Sequence, residues 1–249
     1  MTGGNCACGR LARKGVAGVS VADYSSGRLN ATRPLARSPV FTGLVESLGR
    51  VLAVIPEAPG VRLVVAAATL DRQTLIGESI CISGCCLSVV HVDDSGVAFQ
   101  LGAETLSRTM LGALVVGSVV NIERSMRPSD RLGGHLVTGH IDGVGRLVQR
   151  VQEGDWVNCH FFAAPALLNQ MAAKGSVAID GVSLTVVGVT ATTFCVALIP
   201  HTLQSTTLGT LDTGSNVNLE TDLIFKYVAR WLETLGAGSP AIVNCLSGH

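Results

Sequence analysis

The chain has 249 residues, 47% of them apolar, 4% aromatic and 14% charged, with 18 basic and 18 acidic residues balancing to zero formal charge. That length and apolar share allow one large domain or two small ones with a full core. The lack of a basic surplus argues against general nucleic-acid binding, and no apolar run approaches the roughly 18 residues of a membrane span, so neither nucleic acid nor membrane is an expected partner.

Residues 1–39 hold six basic residues (Arg10, Arg13, Lys14, Arg28, Arg33, Arg37) and one acid, Asp23, among many Gly, Ala and Ser. No helical or alternating period persists. Three readings stay open: a disordered tail, an Arg-rich and acid-poor organelle transit peptide, or a misplaced start with Val40 as the true first residue. Cys6-Ala7-Cys8 is too close for a zinc knuckle pair and has no second pair at zinc spacing, so no metal site is expected.

From Phe41 the pattern is β. Val51-Leu52-Ala53-Val54-Ile55 stops at Pro56, and Arg62-Leu63-Val64-Val65-Ala66 follows. Then come Ser79-Ile80-Cys81-Ile82, a Ser83-Gly84 turn, Cys85 to Val90, an Asp93-Asp94-Ser95-Gly96 turn, and Val97 to Leu101. Short β-branched runs punctuated by Gly, Asp and Pro indicate a sandwich or barrel. Cys81, Cys85, Cys86 and Cys195 lie in such apolar runs, where Cys acts as a small hydrophobe. With no secretory leader, a reducing compartment, the cytoplasm, is expected; a transit peptide would make it a plastid.

The order then repeats. Thr42-Gly43-Leu44-Val45-Glu46 is matched by Thr138-Gly139-His140-Ile141-Asp142. Residues 79, 104 and 117 open blocks that recur at 176, 201 and 214, a constant spacing of 97. Two copies of about a hundred residues, each with six or so strands, suit two small closed barrels without open edges. The expected fold is all-β: two tandem six-stranded barrels from one duplicated module, over residues 40–136 and 137–221. A helix over 222–236 follows, with Asp222 and Gly236 as caps. Its apolar stripe of Ile224, Val228, Trp231 and Leu235 either packs on its own barrel or makes an oligomer contact. Residues 237–249 read as a loose tail.

Aligning the copies exposes their chemical differences. Leu44 corresponds to His140, Cys86 to Ser183, Ser88 to Thr185, Gly77 to Lys174 and Ser125 to Asp222. Two similar pockets with unlike groups could bind two similar molecules and treat each differently. Structural roles also fit: Cys86 as core, His140 as a turn cap, Asp222 as a helix cap. Ser183 and Thr185 share one side of a strand, either outward to solvent or inward to a ligand.

The motifs Phe41-Thr42-Gly43-Leu44-Val45-Glu46, Gly84-Cys85-Cys86-Leu87-Ser88-Val89, Leu132 to His140, Lys174-Gly175-Ser176, Asp180 to Val186, Ile199 to Leu203 and Asn218-Leu219-Glu220-Thr221-Asp222 closely resemble the riboflavin synthase family, α-chain type. The resemblance runs from Phe41 to about Leu235. It implies Greek-key barrels, a homotrimer joined through the C-terminal helix, and no metal or redox cofactor. The implied reaction is dismutation of two 6,7-dimethyl-8-ribityllumazine molecules, the last step of riboflavin biosynthesis. Its site would lie between the N-terminal barrel of one subunit and the C-terminal barrel of the next. Carried over by position, Cys86, His140, Ser183 and Asp222 are the catalytic candidates. Substrate contacts would come from Gly43, Leu44, Val45, Cys86, Leu87, Ser88, Gln100, Leu101, Gly102, Ala103, Glu104 and Thr105. The second copy would add Gly139, His140, Ile141, Lys174, Ser183, Leu184, Thr185, Ile199, Pro200, His201, Thr202, Leu203 and Gln204. Ser88 departs from the family's usual Thr, keeping the hydroxyl and losing a methyl. A non-catalytic lumazine or flavin carrier on the same fold is the alternative.

Overall fold

The computed structural model describes residues 40–71 and 73–235. The expectations for residues 1–39, Gly236 and 237–249 lie outside the described residues. The first barrel comprises β1 (Ser47–Glu57), β2 (Gly60–Ala67), β3 (Ser79–Ile82), β4 (Cys85–Val92), β5 (Val97–Leu101) and β6 (Val119–Arg124). Helix α1 (Ala103–Arg108) and a 3-10 turn (Met110–Ala113) join β5 to β6. The strands close in the order β1-β2-β5-β4-β3-β6.

The second barrel repeats this plan with β7 (Gly143–Glu153), β8 (Trp156–Phe162), β9 (Ser176–Ile179), β10 (Val182–Val189), β11 (Thr193–Leu198) and β12 (Asn216–Thr221). Its order is β7-β8-β11-β10-β9-β12. Helix α2 (Pro165–Leu168) precedes β9, α3 (Pro200–Ser205) follows β11, and α4 (Leu223–Leu235) ends the described chain. Among the described residues no helix is long and apolar enough to cross a membrane.

Period-two patterning decides which side chains fill each barrel. On β4, Cys85, Leu87 and Val89 join the core, while Cys86 is half-buried and Ser88 exposed. On β10, Val182 and Val186 are buried, Ser183 is half-buried and Thr185 exposed. Phe99 fills the first barrel, and Phe161 stacks on Phe194 in the second with ring centroids 5.6 Å apart. Each such side chain contributes roughly 1.5–3 kcal/mol by leaving water.

Register shifts bend β1 at Val51/Ala53 and β7 at Leu147/Gln149. Matching shifts bend β4 at Val89/His91 and β10 at Val186/Gly188. Such bulges add the local bend that closing a small barrel requires. One strand runs longer than its sequence suggests: β1 continues through Pro56 to Glu57. Past Arg50 it pairs only with β2, so a proline lacking its N–H is tolerated.

The hairpins β3–β4 and β9–β10 turn on Ser83-Gly84 and Asp180-Gly181, all four with positive φ. This conformation is required at both central residues of a type I′ turn. The two turns meet back to back. A Cβ on Gly84 would lie 2.8 Å from the Gly181 nitrogen, and one on Gly181 2.7 Å from the Gly84 nitrogen. Around them the barrels exchange hydrogen bonds reciprocally. Asn121 on β6 donates to the Asp180 carbonyl, and Asn218 on β12 donates to the Ser83 carbonyl, both at 2.8 Å. Phe41, Cys81, Val137 and Ala178 form a separate buried cluster at this junction, with Phe41 bridged to Val137.

The turn residues differ in one respect. The Ser83 hydroxyl accepts the Asn121 N–H at 3.1 Å, whereas the Asp180 carboxylate accepts the Asn218 N–H at 2.7 Å. Burial pushes Asp180 from 3.8 up to about 7, against that hydrogen bond. A raised folded pKa means the stabilisation is complete below pH 4 and lost as pH rises through about 7. Asp180→Ser, which installs the first barrel's residue, should therefore gain on the natural protein between pH 5 and pH 8. The gain is at most a few kcal/mol, at roughly 1.4 kcal/mol per pKa unit. Thermal melts across that range test this, and parallel pH profiles would refute it.

Candidate active site

The chemistry-bearing side chains collect on the outward faces of β4 and β10, not inside the barrels. The opening segment of each barrel crosses the other barrel's face. The Ser183 N–H donates to the Gly43 carbonyl at 2.8 Å, and the Cys86 N–H donates to the Gly139 carbonyl at 2.9 Å. A Cβ on Gly43 would fall 2.5 Å from that of Ser183, and one on Gly139 2.5 Å from that of Cys86. With φ near +76° and +78° as well, both positions require glycine.

Two buried carboxylates hold these segments. Glu123 on β6 accepts the Thr42 N–H at 2.6 Å, the Thr42 hydroxyl at 2.8 Å and the Gly43 N–H at 3.0 Å. Glu220 on β12 accepts the Thr138 N–H and hydroxyl at 2.7 Å and the Gly139 N–H at 2.9 Å. Burial raises both pKa values and these hydrogen bonds oppose it. Leu44 and His140, the next residues, are both exposed.

The four catalytic candidates therefore fall into two groups within one chain. The β4 group contains Cys86 and Ser88, with His140 following Gly139. Burial pushes the Cys86 thiol up, against a hydrogen bond from Ser79, with the Glu220 charge adding to the rise. The neutral thiol is favoured, so a standing thiolate nucleophile is not supported at this position. The β10 group contains Ser183 and Thr185, with Gly43 and Leu44 crossing them. Lys174 is exposed and donates its N–H to the Val186 carbonyl beside them at 2.8 Å.

The β10 group gains a residue absent from the sequence-based set. His135 Nδ1 lies 2.7 Å from the Ser183 hydroxyl. Its backbone N–H donates to Thr42 at 3.1 Å, so the antiparallel run of 135–137 against 41–43 places it. His135 Nε2 is buried and finds no partner among the described residues. Burial lowers the His135 pKa, and the Asp222 charge opposes that shift. A neutral imidazole whose Nδ1 accepts a hydrogen bond from the Ser183 hydroxyl carries its hydrogen on Nε2, a donor in need of an acceptor. The copy alignment could not flag His135, because its counterpart position precedes the first repeat. The run Gly133-Gly134-His135 was the available signal.

Asp222 does cap α4: its carboxylate accepts the Ile224 N–H at 2.9 Å. Val45 and Ile141 pack partly against the barrel cores. Leu87 and Leu101, expected at the substrate, point into the first core, and Leu184 and Leu203 pack against the second. Inward alternation turns the Leu87 and Leu101 side chains away from the outer face. Gln100 to Thr105 end β5 and open α1, and Ile199 to Gln204 do the same from β11 into α3. Because β5 neighbours β4 and β11 neighbours β10, these turns border the same two faces. Among them Gln100, Gly102, Ala103, Glu104, Ile199, His201 and Gln204 are exposed, and Thr105, Pro200 and Thr202 are half-buried.

The balance at His135 is measurable. Its NMR titration should have a midpoint below the ordinary 6.5, and Asp222→Asn should lower it further by removing the charge that favours imidazolium. A midpoint at or above 6.5, or an upward shift in the variant, would contradict this electrostatic picture.

The lumazine binding domain model matches residues 42–125 and again 138–222. The riboflavin synthase of Brucella abortus (strain 2308) is 42% identical over 197 residues, covering 77% of this chain and 97% of that protein. That of Mycobacterium tuberculosis (strain ATCC 25618 / H37Rv) is 39% identical over 201 residues, covering 79% and 100%. Among solved structures, LumP complexed with riboflavin is 27% identical with a TM-score of 0.64, covering 73% of this chain and 98% of that one. LumP complexed with 6,7-dimethyl-8-(1'-D-ribityl) lumazine has the same fold, at 24% identity and a TM-score of 0.64, over the same 73% and 98%. Two matched domains, two matching barrels and near-full coverage of these relatives agree: the chain is a transferase-type enzyme of the riboflavin synthase family, built from two copies of the lumazine binding domain.

Proposed function

We propose that the chain converts two molecules of 6,7-dimethyl-8-ribityllumazine into riboflavin and 5-amino-6-(D-ribitylamino)uracil, the last step of riboflavin biosynthesis. The observation that carries this reading is a pair of equivalent outer faces bearing unlike groups. One has Cys86 and His140, and the other Ser183, His135 and Asp222. Two copies of one pocket suit two copies of one substrate, and unlike groups suit different fates for them. One lumazine gives up a four-carbon unit and leaves as the uracil; the other gains it and becomes riboflavin. All atoms of the substrates reappear in the products, so the balance calls for no oxidant or reductant.

In this reading His140 exchanges the proton of a 7-methyl group, whose anion is delocalised into the pteridine ring. Ser183, oriented by His135, presents its hydroxyl or a held water at C7 of the other lumazine. Asp222 stabilises positive charge on His135. Cys86 shapes its face as a neutral thiol. Holding the rings in register supplies much of the acceleration, since aligned reactions reach effective molarities of about 10⁵ to 10⁸ M.

The reading includes a homotrimer in the cytoplasm, in which the Cys86 face of one subunit meets the Ser183 face of its neighbour. The modules are residues 40–136 and 137–221, and the helix from Asp222 assembles them. Ile224, Val228 and Trp231 support this assembly, because they are 65%, 44% and 61% exposed in the single chain. On the opposite side Leu223, Phe225 and Ala229 are half-buried, and Lys226 pairs with Asp142 of the second module's opening segment.

A second reading, a non-catalytic carrier, is favoured by the likeness to LumP, which is solved with a lumazine and with riboflavin bound. Mixing the purified protein with 6,7-dimethyl-8-ribityllumazine decides between them. Riboflavin and the uracil should appear in equal amounts; bound lumazine without turnover would favour the carrier. The shared site has its own test. Cys86→Ala and Ser183→Ala should each be impaired, and mixing them with subunit exchange should restore activity above either alone, because some sites regain both residues. If both are nearly inactive, subunits exchange and no activity returns, the site lies within one subunit.

A further inference from the structure

The two opening segments are braced alike except for the origin of one cation. In the first module, Glu46 and Glu123 bracket residues 42–46. The adjacent cation is Arg124, from the same barrel: its backbone N–H donates to Glu46 at 3.3 Å, its charge favours the ionised form of Glu46, and its guanidinium pairs with Glu78 at 2.7 Å. In the second module, Asp142 and Glu220 bracket residues 138–142. Here the cation comes from outside the barrel, because Lys226 of α4 places Nζ 2.7 Å from Asp142 Oδ2. That carboxylate oxygen also accepts the Thr221 N–H at 2.8 Å and lies 3.0 Å from the Thr221 hydroxyl. The Asp142 N–H in turn donates to Leu219 at 2.9 Å.

The two side chains are about three-quarters covered, that of Lys226 being 24% and that of Asp142 22% exposed. Partial burial weakens solvent screening and makes this contact firmer than a fully exposed ion pair. The Lys226 charge also favours the ionised form of Glu220, the group that holds Thr138 and Gly139. One side chain from α4 thus acts on both carboxylates that brace the segment, and His140 lies between those anchors. From this geometry we propose that Lys226 is a positioning residue: through Asp142 it fixes the His140-bearing segment across β4, so that the seating of α4 sets the geometry of the Cys86–His140 face. The first module, braced by its own Arg124, has no such dependence on the helix.

The inference rests on the riboflavin synthase reading for its activity readout, and lumazine binding supplies an independent one. Lys226→Met, Asp142→Asn and the double variant are compared with the natural protein as assembled. Lys226→Met should keep its assembly state and melting temperature while kcat falls about tenfold with KM changed less than about threefold. Equilibrium dialysis should show one lumazine site weakened severalfold and the other unchanged. The double variant should fall no further than the worse single one, since both remove one contact, and Lys226→Arg should recover most of kcat. Unchanged turnover and binding in Lys226→Met would overturn the proposal. So would additive losses, or loss of activity only together with assembly, which would leave the pair a role in docking the helix alone. If the natural protein makes no riboflavin, the synthase reading fails, and the dialysis result still decides the role of Lys226.

Discussion

The arrangement depends on two carboxylates buried at the ends of equivalent strands. Glu123 and Glu220 each gather two backbone N–H groups and a threonine hydroxyl. Burial alone would drive each carboxylate to its neutral form; the donors oppose that shift. The donors depend on the carboxylates equally, since a buried N–H left without an acceptor costs about 1–3 kcal/mol. Each anchored segment continues as the strip that lies across the other barrel and accepts a strand N–H there. Removing one carboxylate would therefore loosen an inter-barrel contact and a candidate pocket together.

A six-stranded barrel of this size is filled by its own side chains. Phe99 in one barrel, and Phe161 against Phe194 in the other, leave the chemistry to the outer faces. There, strand alternation supplies Cys86 and Ser88 on one barrel and Ser183 and Thr185 on the other. The crossing segments then wall each face with residues from the opposite module. Duplication provided two equivalent places, and divergence at a few outward positions made them chemically different without disturbing either core.

Divergence reached the supports as well as the pockets. The charge beside the first opening segment comes from Arg124 of the same barrel, and beside the second from Lys226 of α4. Ser83 and Asp180 make the same turn, yet only Asp180 has a charge state sensitive to pH. Shared geometry with unlike titration behaviour separates the modules more sharply than their strand order does.

Much of this protein was legible in one dimension. Two barrels followed from a constant repeat spacing and short β-branched runs, because both are local patterns. The catalytic candidates followed from comparing the copies with each other and with the family. Three things required the tertiary structure. Alternation showed that Ser183 and Thr185 shared a side, but only closure of the barrel made that side the outer one. The alignment set His140 opposite Leu44, yet crossing of the segments brought His140 towards Cys86 and Leu44 towards Ser183. His135 reaches Ser183 across 48 positions of sequence, a contact that no periodicity encodes. The sequence determined the modules and the residue types available at each face, because repeat and period are carried by neighbours along the chain. The tertiary structure decided which of those residues meet, because these contacts form between modules where strands close and segments cross.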